Sequence, residues 1–277
     1  MTLVTQNLGA TAPAGAKKAF GDALVEQGTI QLVDFSNGGT LIGGSVANGK
    51  PVNNLAALSA KEYGFLGHGA VVGSGMALTP GKGFDATGGA AGGGQGAFFS
   101  GSILNYLKAN ESDHKYLLVF WIRAKQADFV AGGIFRSLNG STVTYNDVRA
   151  NISAIKTISP TFGGGGNGTV AINASDGKAI QVGITFKMGQ APEIFKDGIF
   201  LNNGTISATG FSGIANQIGI GKVETGPAPT APVYRWLIED LTVTGRSAEE
   251  VVRKDYDYSH AIGQFQGIQK RPWIDNY

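Results

Sequence analysis

The stretch Tyr234–Tyr258, YRWLIEDLTVTGRSAEEVVRKDYDY, predicts an extended strand followed by a capped helix. From Tyr234 to Val243, apolar residues occupy both alternating sets of positions, which is typical of a strand buried on both faces. Ser247 then precedes Glu250 by three residues, the spacing of a capping box in which the serine side chain satisfies a first-turn amide. We therefore predict a central strand that leads into one short C-terminal helix.

Upstream of this stretch, short runs rich in β-branched and aromatic residues are separated by turn sequences such as Lys196-Asp197-Gly198 and Asn202-Asn203-Gly204. The further predicted strands are Ile30–Phe35, Leu117–Ala124, Phe129–Arg136, Arg149–Thr157, Thr169–Ala174, Ile180–Phe186, Glu193–Leu201 and Gln217–Gly221. Many short strands at near-regular spacing, with turn residues between them, indicate an all-β fold. We expect an antiparallel β-sandwich of the jelly-roll type with one short C-terminal helix and extended terminal arms.

Four segments carry a resemblance to a known superfamily. The segment Thr244–Val251 is similar to the end of the concanavalin A-like and laminin G-like jelly rolls, where the last strand runs into "a-L-s-x-e-E-i". Three others follow the same order: Tyr116–Arg123 resembles the strand "f-T-v-s-f-W-v-r", Glu193–Ile199 the "l-Y-v-d-G" hairpin, and Ile218–Gly221 the "i-x-I-G" strand. The resemblance implies a lectin-like jelly roll of the lectin–glucanase superfamily, as found in tailed-bacteriophage virion proteins.

The chain divides into an N-terminal arm (1–28), a jelly-roll domain (29–258) and a C-terminal arm (259–277). The arms contain apolar residues without the period of a strand. Ordering them costs roughly 1–2 kcal/mol of backbone entropy per residue, so we expect them to pack against other subunits. The predicted partner-binding residues are Phe20, Leu24, Phe265 and Trp273. A frayed N-terminus and docking of the C-terminal arm on its own domain are the alternatives.

Composition narrows the class of protein. Of the 277 residues 42% are hydrophobic, sufficient for a core, while only 15% are charged, a low value that favours assembly or exterior display. The net charge is +2 and the basic residues are scattered, so no nucleic-acid partner is expected. With no cysteine there is no disulfide or thiolate metal site. The sequence has neither a signal-peptide pattern nor a membrane span, which predicts a protein made in a host cytoplasm.

The motifs argue against catalysis. Retaining glucanases with this sandwich carry an "E-x-D-x-x-E" or "E-x-D-x-E" signature on one strand, which is absent here. Glu239 and Asp240 are adjacent, so a strand would point them to opposite faces. The sequence Gly44–Pro51 nearly spells a phosphate-binding loop, but Pro51 stands where serine or threonine is required. We therefore expect no enzyme and no cofactor; a calcium ion is an open alternative that no acidic cluster indicates.

These observations lead to two hypotheses. The first is a structural virion protein of a tailed bacteriophage, a capsid decoration, tail or fibre component that forms homo-oligomers and contacts other virion subunits through its arms. The alternative is a carbohydrate-binding protein or a cell-surface binding module. For a surface glycan, the candidate aromatic residues are Tyr145 and Trp236.

Overall fold

The structure is a computed structural model that describes residues 22–57, 68–88, 95–123, 132–139, 142–143, 148–153, 157–162, 165–166, 170–171, 177–205, 217–222, 231–261 and 270–274. The strands of these residues are β1 (Thr29–Asp34), β2 (Pro51–Asn53), β3 (His68–Val72), β4 (Ala77–Leu78), β5 (Phe84–Asp85), β6 (Gln95–Ser100), β7 (Tyr116–Arg123), β8 (Gly132–Asn139), β9 (Thr142–Val143), β10 (Val148–Ser153), β11 (Thr157–Phe162), β12 (Gly165–Gly166), β13 (Val170–Ala171), β14 (Ala179–Phe186), β15 (Glu193–Lys196), β16 (Ile199–Asn203), β17 (Gln217–Lys222) and β18 (Val233–Asp240). The helices are α1 (Ser102–Ala109), α2 (Leu241–Thr244) and α3 (Ala248–His260).

The strands form two antiparallel sheets. The first has the order β16-β15-β14-β7-β18-β5-β4, and β1 also pairs with β18. The second has the order β12-β11-β10-β8-β17-β6-β3-β2, with β13 on β11 and β9 on β8. Side chains from both sheets, such as Phe120 of the first and Phe99 of the second, belong to one buried cluster. The predicted all-β antiparallel sandwich with a short C-terminal helix is therefore confirmed.

Strand β18 is central, as its sequence predicts. It is buried along its whole length and pairs with β7 on one side and β1 on the other, so that Leu237 lies opposite both Val119 and Leu32. The strand ends at Asp240, three residues earlier than predicted. The Asp240 carboxylate accepts hydrogen bonds from the Thr242 and Val243 amides at 3.0 and 3.2 Å, and this cap starts helix α2.

The core between the sheets contains Trp236. Its indole ring makes edge contacts with Phe35 and Phe99, with centroids 5.7 and 6.1 Å apart, and its Nε1 donates to Gln31 Oε1 at 2.9 Å. The side chain is fully buried, so the prediction that Trp236 binds a glycan is wrong. The register of β18 directs this residue toward the opposite sheet, a property that the sequence pattern alone did not resolve.

Helix α3 covers the outer face of the first sheet. Val251 and Val252 are buried in a cluster with residues of β7 and β18, among them Val119 and Leu237. The helix approaches closely because β14 has a glycine at the crossing point: a Cβ on Gly183 would lie 2.8 Å from Val252 Cγ2. This second apolar layer explains why β7 and β18 are apolar on both faces.

The described parts of the two predicted arms pack against the chain's own sandwich. Leu24 and Trp273 are both buried within this chain, which contradicts their assignment to subunit contacts. Helix α3 also continues to His260, past the predicted boundary at residue 258. Docking on the chain's own domain, the alternative considered for the C-terminal arm, is what the structure shows for 270–274. Phe20, Phe265 and Tyr145 lie outside the described residues.

The N-cap of α3 gives a first testable expectation. The Ser247 hydroxyl accepts a hydrogen bond from the Glu250 amide at 3.1 Å, as the capping-box spacing predicts. Ser247→Ala should lower the free energy of unfolding by about 1 kcal/mol, measured by urea denaturation. Ser247→Asp keeps a cap and should retain nearly the wild-type value. Equal stability of the alanine variant and the wild type would contradict the capping role.

Candidate functional site

The best candidate site is a surface pocket at the C-terminal end of α3. It has a volume of about 330 Å³, at the lower end of the roughly 300–1,000 Å³ typical of small-molecule sites. Its lining comprises Trp121, Lys178, Ala179, Asp197, Tyr256, His260 and Ile274. We call it the Tyr256 pocket. It combines aromatic rings with a carboxylate and an ammonium group. The rings can pack against the apolar face of a small ligand, and the charged groups can form hydrogen bonds with its hydroxyl groups.

Three aromatic rings form one wall of the Tyr256 pocket. Tyr256 and His260 are four residues apart on α3 and therefore project from the same side of the helix, with centroids 4.1 Å apart. The Trp121 ring lies beneath them, nearly parallel to the Tyr256 ring at 5.9 Å. Trp121 is buried, whereas Tyr256 and His260 are partly exposed. The ring surface available to a ligand is therefore that of Tyr256 and His260.

Asp197 also lines the pocket and lies in the tight turn between β15 and β16. The φ angles of Asp197 and Gly198 are +50° and +81°, the left-handed conformation that two-residue hairpin turns require. One carboxylate oxygen of Asp197 accepts a hydrogen bond from the backbone amide of Gln181 at 2.9 Å. The other carboxylate oxygen lies 4.0 Å from Lys196 Nζ, too far for a direct hydrogen bond. It can therefore accept hydrogen bonds from a ligand.

A buried network fixes the walls of the pocket relative to one another. Asp255 accepts hydrogen bonds from Trp121 Nε1 and from Gln181 Nε2, both at 2.7 Å. Gln181 Oε1 in turn accepts from the Gly198 amide at 2.9 Å, which anchors the turn that carries Asp197. Helix, strand and turn are thus joined through buried side chains that hydrogen-bond to one another. Such preorganisation lowers the entropy lost when a ligand binds.

The electrostatics of the pocket follow from partial burial. Burial raises the pKa of Asp197 above its ordinary value of 3.8, although the Gln181 amide, Lys196 and His260 act in the opposite direction. Burial also raises the pKa of Tyr256, with a further contribution from the Asp197 charge. At neutral pH the Tyr256 hydroxyl is therefore protonated and can donate a hydrogen bond. The exposed Lys178 adds a positive charge at the rim.

A second pocket of about 470 Å³ lies near the N-terminal end of α3, but three of its charged groups, Lys115, Glu193 and Arg246, already have partners. Lys115 Nζ is 2.6 Å from Glu193 Oε2, and Arg246 donates to Glu239 and Glu26. A ligand would have to displace these ion pairs. The pocket is therefore the weaker candidate of the two.

Two other features have a structural explanation. His114 Nδ1 and the Tyr106 hydroxyl each lie 2.6 Å from Asp240 Oδ2, and the other oxygen of this carboxylate caps α2. In the described part of the chain, no group of three or more His, Asp or Glu side chains could hold a metal ion. No helix in the described ranges combines the length and the apolar character needed to cross a membrane.

The sequence interpretation did not identify this pocket. The sequence predicts a turn at Lys196-Asp197-Gly198 and a helix after Ser247, but it does not show that Asp197 and Tyr256 meet. The available signal was the four-residue spacing of Tyr256 and His260, which places two rings on one side of a helix. Their proximity to Asp197 depends on how α3 crosses the sheet, which no local pattern gives.

Comparison with known proteins shows similarity at the level of fold. No protein-family model matches the sequence, and no curated protein matches it. A structure of Trypanosoma rangeli sialidase with 2-keto-3-deoxy-D-glycero-D-galacto-2,3-difluoro-nononic acid matches with a TM-score of 0.55 and 15% identity, over 92% of this chain and 36% of the sialidase chain. The binding domain of botulinum neurotoxin DC, in complex with rat synaptotagmin II, matches with a TM-score of 0.52 and 14% identity, over 83% of this chain and 51% of that chain.

These matches correct one expectation and leave another without support. The expectation that the chain is not an enzyme is contradicted, because several solved structures that share its fold are those of a sialidase. The missing glucanase signature tested only one arrangement of catalytic carboxylates among several that glycosidases use. The assignment to a bacteriophage virion receives no support from the matches. The sandwich itself is shared, whereas the concanavalin A-like assignment stays a prediction.

Proposed function

We propose that this chain is a carbohydrate-binding module and that its ligand occupies the Tyr256 pocket. The observation that carries the proposal is the placement of two partly exposed aromatic rings, Tyr256 and His260, in one pocket with the Asp197 carboxylate, one oxygen of which lies beyond hydrogen-bond distance of Lys196 Nζ. The apolar face of a sugar ring packs on an aromatic side chain, while its hydroxyl groups donate to a carboxylate and accept from donors such as lysine. Tyr256, Asp197 and Lys178 supply these three elements in one pocket.

The matched structures are larger than the part of them that this chain resembles. The chain spans about a third of the sialidase chain and about half of the toxin chain whose structures it resembles. One is named as a sialidase in complex with a difluoro-nononic acid, and the other as a binding domain in complex with synaptotagmin II. At 14–15% identity the likeness concerns the fold alone, so the ligand class is argued from the Tyr256 pocket.

A glycan array followed by calorimetry tests the proposal. We expect the wild type to bind a defined set of glycans and Asp197→Asn to bind them roughly ten- to a hundredfold more weakly, because a hydrogen bond to a charged group contributes about 1.5–3 kcal/mol. Tyr256→Ala should abolish detectable binding while leaving the sandwich folded. Binding should also weaken as the pH falls through the raised pKa of Asp197, since the protonated carboxyl accepts fewer hydrogen bonds.

Glu249→Gln is the matched control, because Glu249 is exposed and lines the other pocket, at the opposite end of α3. It should bind as the wild type does. Chromatography of the glycans after incubation records any cleavage in the same experiment. A wild type that binds no glycan, or a Tyr256→Ala variant that binds normally, would remove the basis for the proposal.

A further inference from the structure

Asn-Gly pairs in the described part of the chain carry a reactive chemistry that depends on their surroundings. In such a pair the backbone nitrogen of the glycine can attack Cγ of the asparagine, because glycine has no side chain to shield that nitrogen. The sequence contains five of these pairs, and the structure describes both residues of three: Asn37-Gly38, Asn48-Gly49 and Asn203-Gly204. The three differ in whether the attacking nitrogen is already engaged.

In two of the pairs a backbone hydrogen bond holds the glycine nitrogen. The Gly49 amide donates to the Val71 carbonyl at 2.8 Å. The Gly204 amide donates to the Pro192 carbonyl, also at 2.8 Å. Attack by either nitrogen requires that its hydrogen bond first breaks, and the loss of that bond adds to the barrier of the reaction.

The Asn37-Gly38 pair combines an available nitrogen with a side chain held next to it. Gly38 is exposed, and its nitrogen donates no hydrogen bond in the described part of the chain. Asn37 Oδ1 accepts a hydrogen bond from the Gly39 amide at 2.9 Å, an Asx turn that keeps the side-chain amide beside the backbone that follows it. This hydrogen bond polarises the side-chain carbonyl and can stabilise the oxyanion that forms when Cγ is attacked.

We propose that Asn37 is a site of spontaneous deamidation in the folded protein and that it reacts faster than Asn48 and Asn203. The Gly38 nitrogen forms a bond to Asn37 Cγ, and the bond from Cγ to the side-chain nitrogen breaks. Ammonia leaves with the proton of the Gly38 amide, and the product is a cyclic succinimide. Water then opens the ring at either of its carbonyl groups, which yields aspartate or isoaspartate at position 37.

The modification falls in the turn that follows β1. The Asn37 amide donates to the Asp34 carbonyl, and the Asn37 carbonyl accepts from the Thr40 amide, both at 2.9 Å. Isoaspartate lengthens the backbone between these two hydrogen bonds, and either product adds a negative charge. Asp34 itself forms a buried ion pair with Arg235 at 3.0 Å. The reaction therefore changes both charge and backbone next to a buried part of the structure.

Fragment-ion mass spectrometry of the full chain aged in mildly alkaline buffer tests the proposal, because it assigns the mass change to individual residues. We expect Asn37 to be converted roughly three- to tenfold faster than Asn48 or Asn203, the effect of one backbone hydrogen bond on a rate. In denaturing urea these hydrogen bonds are absent, so the three rates should become similar. Enzymatic methylation of isoaspartate identifies the second product.

Gly38→Ala is the matched variant. A Cβ at residue 38 meets no atom within 4 Å, and Gly38 does not have a positive φ, so the variant should melt as the wild type does. It should slow deamidation of Asn37 roughly tenfold, because an alanine side chain restricts φ and shields the attacking nitrogen. A folded wild type in which Asn48 or Asn203 reacts as fast as Asn37 overturns the proposal. So does a Gly38→Ala variant that loses ammonia from Asn37 at the wild-type rate.

Discussion

Arg235→Met is expected to lower the free energy of unfolding by about 3–5 kcal/mol, the cost of breaking a buried ion pair by removing one partner. The Arg235 guanidinium is fully buried and contacts three carboxylates. Its Nε donates to Asp255 at 2.7 Å, and its Nη1 donates to Asp22 and Asp34, each at 3.0 Å. Methionine fills part of the space of the arginine stem but leaves three buried acids without their main counter-charge.

The network joins four parts of the chain. Asp22 precedes β1, Asp34 ends β1, Arg235 lies in β18 and Asp255 lies in α3. Arg271, from the C-terminal segment, adds a second cation 3.1 Å from Asp34. Removing Arg235 therefore affects the attachment of the helix and of both terminal segments. It also removes a hydrogen-bond partner of Asp255, the side chain that orients Trp121 and Gln181.

The pH dependence distinguishes this electrostatic effect from loss of packing. Burial alone would raise the pKa of Asp22, but the charge and hydrogen bond of Arg235 outweigh it and hold the folded-state pKa below 3.8. In the wild type, the stability that comes from the lowered pKa of Asp22 is present above pH 3.8, and it is lost as the pH falls through the folded-state pKa. In Arg235→Met the same burial raises the pKa, so the deficit of the variant should be smaller at about pH 4 than at about pH 7.

The measurement is urea denaturation at both pH values, with Arg253→Met as the matched control. Arg253 is on α3, the helix that carries Asp255, and forms an ion pair with Asp257, four residues later, but its side chain is 57% exposed. Exposed pairs of this kind contribute about 0.3–0.5 kcal/mol. If Arg235→Met destabilises the chain no more than Arg253→Met does, the buried network does not hold these segments together.

The sequence predicts those parts of the fold that depend on local pattern. The alternation in β18 and the Ser247 spacing indicate a central strand and a capped helix because both rest on residues that are neighbours along the chain. The predicted strand extends three residues too far, from Leu241 to Val243. It ends earlier because the Asp240 side chain caps two backbone amides and a helical turn starts there. Helix α1 was not predicted, although Ile103, Leu104 and Leu107 have the spacing of one buried helical face.

The candidate site could not be predicted in the same way. Trp236 and Tyr256 are both aromatic residues of the same stretch, and pattern alone does not tell which one faces the core. The strand register buries Trp236, and the crossing of α3 over Gly183 leaves Tyr256 at the surface beside Asp197. Likewise, the apolar residues of the C-terminal segment suggested an interface because no period indicated where they would dock.

The docking of that segment yields the other large effect. Trp273→Ala is expected to lower the free energy of unfolding by about 3–5 kcal/mol, as for other buried large-to-small substitutions. The Trp273 ring is fully buried and stacks on Tyr234 at 5.5 Å, close to Trp121 at 6.4 Å. Its backbone carbonyl also accepts a hydrogen bond from Arg123 Nη2 at 2.7 Å. The residue thus completes the aromatic layer on the outer face of the first sheet.

Thermal or urea denaturation of Trp273→Ala, with the exposed Lys270→Ala as control, provides the measurement. Lys270→Ala should remain within about 0.5 kcal/mol of the wild type because it removes no buried group. A chain truncated after residue 261 should be destabilised at least as much as Trp273→Ala, since it loses Arg271 from the buried network as well as the indole. If the truncated chain keeps wild-type stability, the C-terminal segment does not contribute to the core of the sandwich. Contacts with other subunits would then again be the better explanation of its apolar residues.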